Sequence, residues 1–126
     1  MPRKTTEPKR ESEPIIQAIL KGMLDKKAKD PVVLDFSNLN HAVCDAFVIC
    51  HGTSRTQIEA IADAVIVEVK KEKGDSPWHR EGFENAEWIL IDYVSVVVHI
   101  FQNSRRNFYN LEQLWGDARV MRIESP

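Results

Sequence analysis

Trp88-Ile-Leu-Ile-Asp-Tyr-Val-Ser-Val-Val-Val-His-Ile-Phe101 contains two apolar runs parted only by Asp92-Tyr93-Val94, which predicts adjacent strands joined by a short turn. Trp88 to Ile91 is apolar at both parities, the pattern of a strand covered on both faces. In the second run Val96, Val98 and Ile100 form one dry face, while Ser95, Val97, His99 and Phe101 form a mixed one. Ser104 then offers a cap for a short helix presenting Phe108, Leu111, Leu114 and Trp115 at helical spacing. The stretch offers no nucleophile with a matching base and no metal-ligand cluster. A sheet completed in this way points toward a protein that binds another macromolecule.

Working outward, Pro77 to Glu81 reads as a short edge strand, since proline suits an edge, and Gly82 to Ala86 turns the chain. Before it, Ser54 and Gln57 form a capping-box pattern. The long helix this opens buries Ile58, Ile61, Ala62, Val65 and Val69 and ends at Gly74. Ala46 to Cys50 and Val32 to Phe36 are strands, parted by the turn-rich Ser37 to His41. A first helix begins with Ser12 as N-cap and Pro14 in its first turn, places Ile16, Ile19, Leu20 and Met23 on one face, and stops at Asp30-Pro31. The order helix, strand, strand, helix, three strands, helix predicts one α/β domain with a mixed sheet flanked by helices. Residues 1–12 are expected to be a flexible tail, 13–120 the domain and 121–126 a C-terminal tail.

With 17 basic against 19 acidic residues among 126, net −2, the chain lacks the positive excess of a general nucleic-acid binder, and a large partner is expected to be basic. No apolar run approaches the ~20 residues of a membrane span, and the polar, Glu-containing N-terminus resembles neither a secretory signal nor a transit peptide, so a cytoplasmic protein is expected. Cys44 and Cys50, with His41 and His51 nearby, match no usual zinc spacing and are expected to be reduced thiols. Neither a metal nor a cofactor is expected.

Gly52-Thr-Ser54 lies at a strand-to-helix junction, where free N–H groups could cradle a phosphate. That feature supports an alternative reading, a nucleotide- or RNA-processing enzyme. The strand following the helix, however, offers only Glu81 and no Asp-x-Asp pair for two-metal chemistry. A Ser95/His99/Asp92 triad fails, because Ser95 and His99 lie roughly 13 Å apart along one strand. A dimeric scaffold using its aromatic surface for self-association is a third reading.

Taken together, Asp45-Ala-Phe-Val-Ile49, Gly52-Thr-Ser54 with Gln57, Ala60-Ile-Ala-Asp63, Glu81-Gly82, Ala86 to Tyr93, Val96 to Phe101 and Arg106 to Trp115 resemble the Iojap family of ribosomal silencing factors, RsfS, over about Ile15 to Ala118. The resemblance implies a fold similar in outline to nucleotidyltransferases but without their catalytic carboxylates. It implies a non-enzymatic translational repressor that docks on a large-subunit ribosomal protein of the L-fourteen family and sterically blocks joining of the small subunit. It also implies a homodimer when free. Carried onto this chain, the partner-binding positions are Trp78, Glu81, Gly82, Asp92, Tyr93 and His99, with Arg106, Tyr109, Leu111 and Trp115 supporting them. The chain departs from the family at Val94-Ser95, where Gly-Asp is common. Since valine resists positive φ, either the turn should differ or the position should not need one.

Overall fold

The computed structural model describes residues 12–37, 39, 44–103 and 119–123. Their order is α1 (Glu13–Asp25), β1 (Lys29–Asp35), β2 (Ala46–Gly52), α2 (Arg55–Lys73), β3 (His79–Glu81), β4 (Trp88–Asp92), β5 (Val96–Gln102) and β6 (Arg119–Arg122). The strands form one mixed sheet in the order β3-β4-β5-β2-β1-β6, with β2 and β5 parallel and every other pair antiparallel. The expected adjacent pair is β4 and β5, and β3 is the expected edge strand. The helix expected over Arg106 to Trp115 lies outside the described residues, as do His41 and Ser104.

Both described helices pack on one face. Strand alternation sends Val33, Ala46, Val48, Cys50, Ile89, Ile91, Val96, Val98 and Ile100 to that face, where they meet Ile16, Ile19 and Met23 of α1 and Ile58, Ile61, Val65 and Val69 of α2. Each such aliphatic side chain contributes roughly 1.5–3 kcal/mol by leaving water, so this layer dominates the hydrophobic stability. The helices also touch each other closely: a Cβ on Gly22 would sit 2.8 Å from Val65 Cα. The opposite face carries Val32, Leu34, Phe36, Ile49 and Phe101, with Phe47 and Trp88 partly buried beside them.

Several local expectations change. Ser12 does occupy the N-cap of α1, but in an αR conformation and without a side-chain cap bond. Helix α1 ends before Asp30-Pro31: Lys26 is its C-cap and Lys27 turns left-handed at φ 60°. Asp30-Pro31 instead falls in a register irregularity of β1 between Lys29 and Val32, with Asp30 at φ 49°. Ile89 and Ile91 are fully buried, yet Trp88 and Leu90 are only half-covered, so β4 is not enclosed equally on both sides. Arg119–Arg122 pairs with β1 through Val33↔Met121, so a strand crosses the expected domain edge at 120. Its four residues alternate too little in polarity to be recognised alone. No described helix is long and apolar enough to cross a membrane.

Candidate functional site

The carried-over residues on β3, β4 and the turns beside them separate into two groups, and His99 lies apart on β5. Trp78, Asp92 and Tyr93 meet at one end of the sheet, where the Trp78 N–H donates to Asp92 O at 2.8 Å. Trp78, expected to be the exposed aromatic, is 75% accessible. Glu81 and Gly82 lie at the far end of β3, roughly 10 Å away for three residues of strand. Arg106, Tyr109, Leu111 and Trp115 fall outside the described residues.

The β4–β5 turn is held by local bonds. Asp92 Oδ1 accepts the Val94 N–H at 2.7 Å, an Asx turn, and the Tyr93 N–H donates to Val96 O at 2.9 Å. The Ser95 N–H donates to Tyr93 O at 2.9 Å, closing a three-residue γ-turn over Val94 at φ 74°. The turn therefore has the positive φ that valine resists, contrary to the alternative that the position does not need one. A β-branched residue there stores about 1–3 kcal/mol. Tyr93 itself points into the helix-side core. Burial pushes its phenol up to about 12, with the nearby Asp75 carboxylate adding to the shift, and its hydroxyl has no hydrogen-bond partner among the described residues.

His99 is buried in mid-sheet on the opposite face. The Trp88 Nε1–H donates to His99 Nδ1 at 3.0 Å, which fixes the imidazole proton on Nε2. Phe47 lies 4.4 Å from the imidazole between ring centroids, and Trp88 stacks on Phe101 at 5.0 Å. Burial lowers the His99 pKa to about 4, and its Nε2 has no partner among the described residues. His99 therefore braces the cluster and is almost wholly withdrawn from the surface, at 4% accessible. Trp88 is the residue that sequence reasoning missed here. With Leu90 opposite His99 in register, Trp88 and His99 are diagonal neighbours on one face, so the hairpin register alone could have paired them.

The Gly52 junction at the other end of the sheet is closed on itself. The Gln57 N–H donates to Ser54 Oγ at 3.1 Å, as the capping box predicts. The reciprocal bond is displaced by one residue, because Gln57 Oε1 accepts from the Thr53 N–H at 2.8 Å. Gln57 Nε2 also donates to Lys26 O at 3.2 Å and Lys27 O at 3.0 Å, where α1 ends. Two N–H donors of the proposed phosphate cradle, those of Thr53 and Gln57, are thus engaged internally, which weakens the feature that favoured an enzyme. Gly82, at φ 89°, allows its backbone to press against β4: a Cβ there would lie 2.1 Å from Trp88 O. Its role is close packing. An open groove of about 820 Å³ beside it is lined by Asp63, Arg80, Glu81 and Phe83, with the Arg80 guanidinium over the Phe83 ring at 5.4 Å.

Cys44 is half-buried and Cys50 buried, and burial pushes the Cys44 thiol up to about 11. Among the described residues no three His, Cys, Asp or Glu side chains gather to hold a metal ion.

Comparison with known proteins decides the lineage. The family described as "Ribosomal silencing factor during starvation" matches residues 9–126. The chain belongs to this family. It is 46% identical over 100 residues to the ribosomal silencing factor RsfS of Bacillus subtilis, covering 79% of this chain and 83% of the relative. It is 41% identical over 110 residues to RsfS of Halalkalibacterium halodurans, covering 87% and 92%. A crystal structure of a Chromobacterium violaceum protein superposes with a TM-score of 0.78 at 34% identity, covering 85% of this chain and 88% of that one. The resemblance read from the motifs is thus a family relationship, and the name given to these relatives, silencing factor, is that of a regulator and not of an enzyme.

Proposed function

We propose that this chain is a ribosomal silencing factor that represses translation by occlusion: it binds the large ribosomal subunit through a ribosomal protein of the L-fourteen family and keeps the small subunit from joining. The observation that carries this reading is the family match over residues 9–126. It is supported by the exposed Trp78 beside Asp92, since tryptophan is enriched among the residues that dominate interface energetics. Occlusion needs only a lasting contact, and a standard patch of ~800 Å² per partner is within the reach of a domain this size. The protein acts in the cytoplasm and is a homodimer when free.

Sedimentation with separated subunits tests the proposal. The chain should travel with large subunits, and its addition should slow assembly of whole ribosomes from their halves. Equal recovery with both subunits, or with neither, would end this reading. Light scattering on the free protein checks the dimer.

A further inference from the structure

Four large hydrophobic side chains are well exposed among the described residues: Val67, Trp78, Val94 and Val120. Two of them, Trp78 at 75% and Val94 at 62%, are anchored to the same residue. Asp92 O accepts the Trp78 N–H at 2.8 Å, and Asp92 Oδ1 accepts the Val94 N–H at 2.7 Å. Val94 is moreover the one of the four held at positive φ, 74°. Solvent exposure gives this side chain no stabilising contact to offset the backbone strain, so the fold itself gains nothing from valine here. Glycine or asparagine would satisfy the same turn with less strain.

We infer that Val94 is a specificity-determining contact that, with Trp78, forms an apolar tip inserted into a basic-rimmed apolar pocket on the partner protein. The inference rests on the ribosome-binding reading and adds Val94 to the expected partner-binding positions Trp78 and Asp92. The charges around the tip favour a protein over a nucleic acid. Asp92 anchors it, Asp75 lies close enough to Tyr93 to raise its pKa, and Arg80 is the cation acting on the same site. A phosphate backbone would be repelled by the Asp92 carboxylate held against the Val94 N–H, whereas lysine and arginine around an apolar pocket would be attracted.

The test measures affinity and thermal stability on the same variants. Val94→Gly and Val94→Asn are compared with wild type for binding to the purified L-fourteen-family protein and to large subunits. Both substitutions should weaken binding ~5–10-fold, the worth of partly burying one aliphatic side chain, while the melting temperature stays level or rises. Trp78→Ala should weaken binding by ~30-fold or more. Val94 variants that bind like wild type would overturn the inference, as would affinity losses that follow losses of melting temperature across the set. Val94-sensitive binding to naked ribosomal RNA would overturn the choice of a protein partner. If wild type bound neither target, the proposed function would fail first, which separates that outcome from failure of the tip alone.

Discussion

Where β2 runs into α2, Gln57 ties Thr53, Ser54, Lys26 and Lys27 together, and Arg55 reaches across to Glu84 O at 2.6 Å. At the other end of the same strands, roughly 20 Å away, the turn over Val94 holds a strained residue and leaves Trp78 and Val94 in solvent. The first end engages its polar groups with its own chain. The second satisfies its backbone through Asp92 and Val96 but leaves apolar surface uncovered. Both ends carry motif residues, so the presence of a motif does not distinguish structure from binding. The distinction lies in where the hydrogen bonds and the apolar surface go.

The harshest test of this contrast is Gly82→Ala. The added methyl would meet Trp88 O at 2.1 Å, a rigid backbone atom, and the residue would also have to keep φ 89°. We expect a loss of about 3–4 kcal/mol or more, measured by urea unfolding. A loss below ~1 kcal/mol would mean that the β3–β4 connection can move away, and Gly82 would return as a candidate surface contact.

Between the ends, His99 tests how firmly the second face is assembled. In the unfolded chain an imidazole takes its proton near 6.5, but in the folded chain burial delays this to about 4. Below pH 6.5 the unfolded state binds more protons, so this contribution is complete above that pH and is lost as pH falls toward 4. The loss reaches ~3 kcal/mol at most. Protonation at Nδ1 would also place a donor against the Trp88 N–H. His99→Gln keeps an acceptor for Trp88 but does not titrate, so its stability should fall less steeply between pH 6.5 and 4. An unchanged slope would assign the acid sensitivity to other groups.

The sequence was most legible where a periodic pattern coincided with burial. Ile58, Ile61, Ala62, Val65 and Val69 are buried on α2, and Ser54 and Gly74 cap it. Val96, Val98 and Ile100 do line one dry face. The hairpin, the edge strand and the family motifs could likewise be read from alternation and turn residues. Other features depend on contacts between distant segments, which carry no local signature. β6 exists because β1 offers an open edge, and Gly22 is required because Val65 passes 2.8 Å from where its Cβ would be. For the site, exposure of Trp78 was legible from its polar edge segment. Burial of Tyr93 and His99 was not, because which residues of a hairpin face the core depends on the layer packed against it.

Gln57→Ala sharpens the account of the closed end. It removes the acceptor for the Thr53 N–H and the donors to Lys26 O and Lys27 O. These bonds are solvent-accessible, so water replaces part of each, and the expected loss is about 1–2 kcal/mol. Large-subunit binding should be unaffected. Weaker binding at unchanged stability would place a contact at this end and break the contrast.

The smallest expected effect on stability belongs to Asp92→Asn. Asparagine retains an oxygen that can accept the Val94 N–H, the bond Asp92 makes at 2.7 Å, so the turn should survive with a change below ~0.5 kcal/mol. What disappears is the charge. If the partner surface is basic, affinity should fall by a few-fold at low salt and by little at high salt, because a rim charge acts mainly on encounter and is screened. Asp92→Ala removes the acceptor as well, releases the backbone over Val94 and should cost about 1 kcal/mol more. Binding that follows charge and salt would mark Asp92 as part of the contact. Binding lost only in the alanine variant would limit its role to holding Trp78 and Val94 in place.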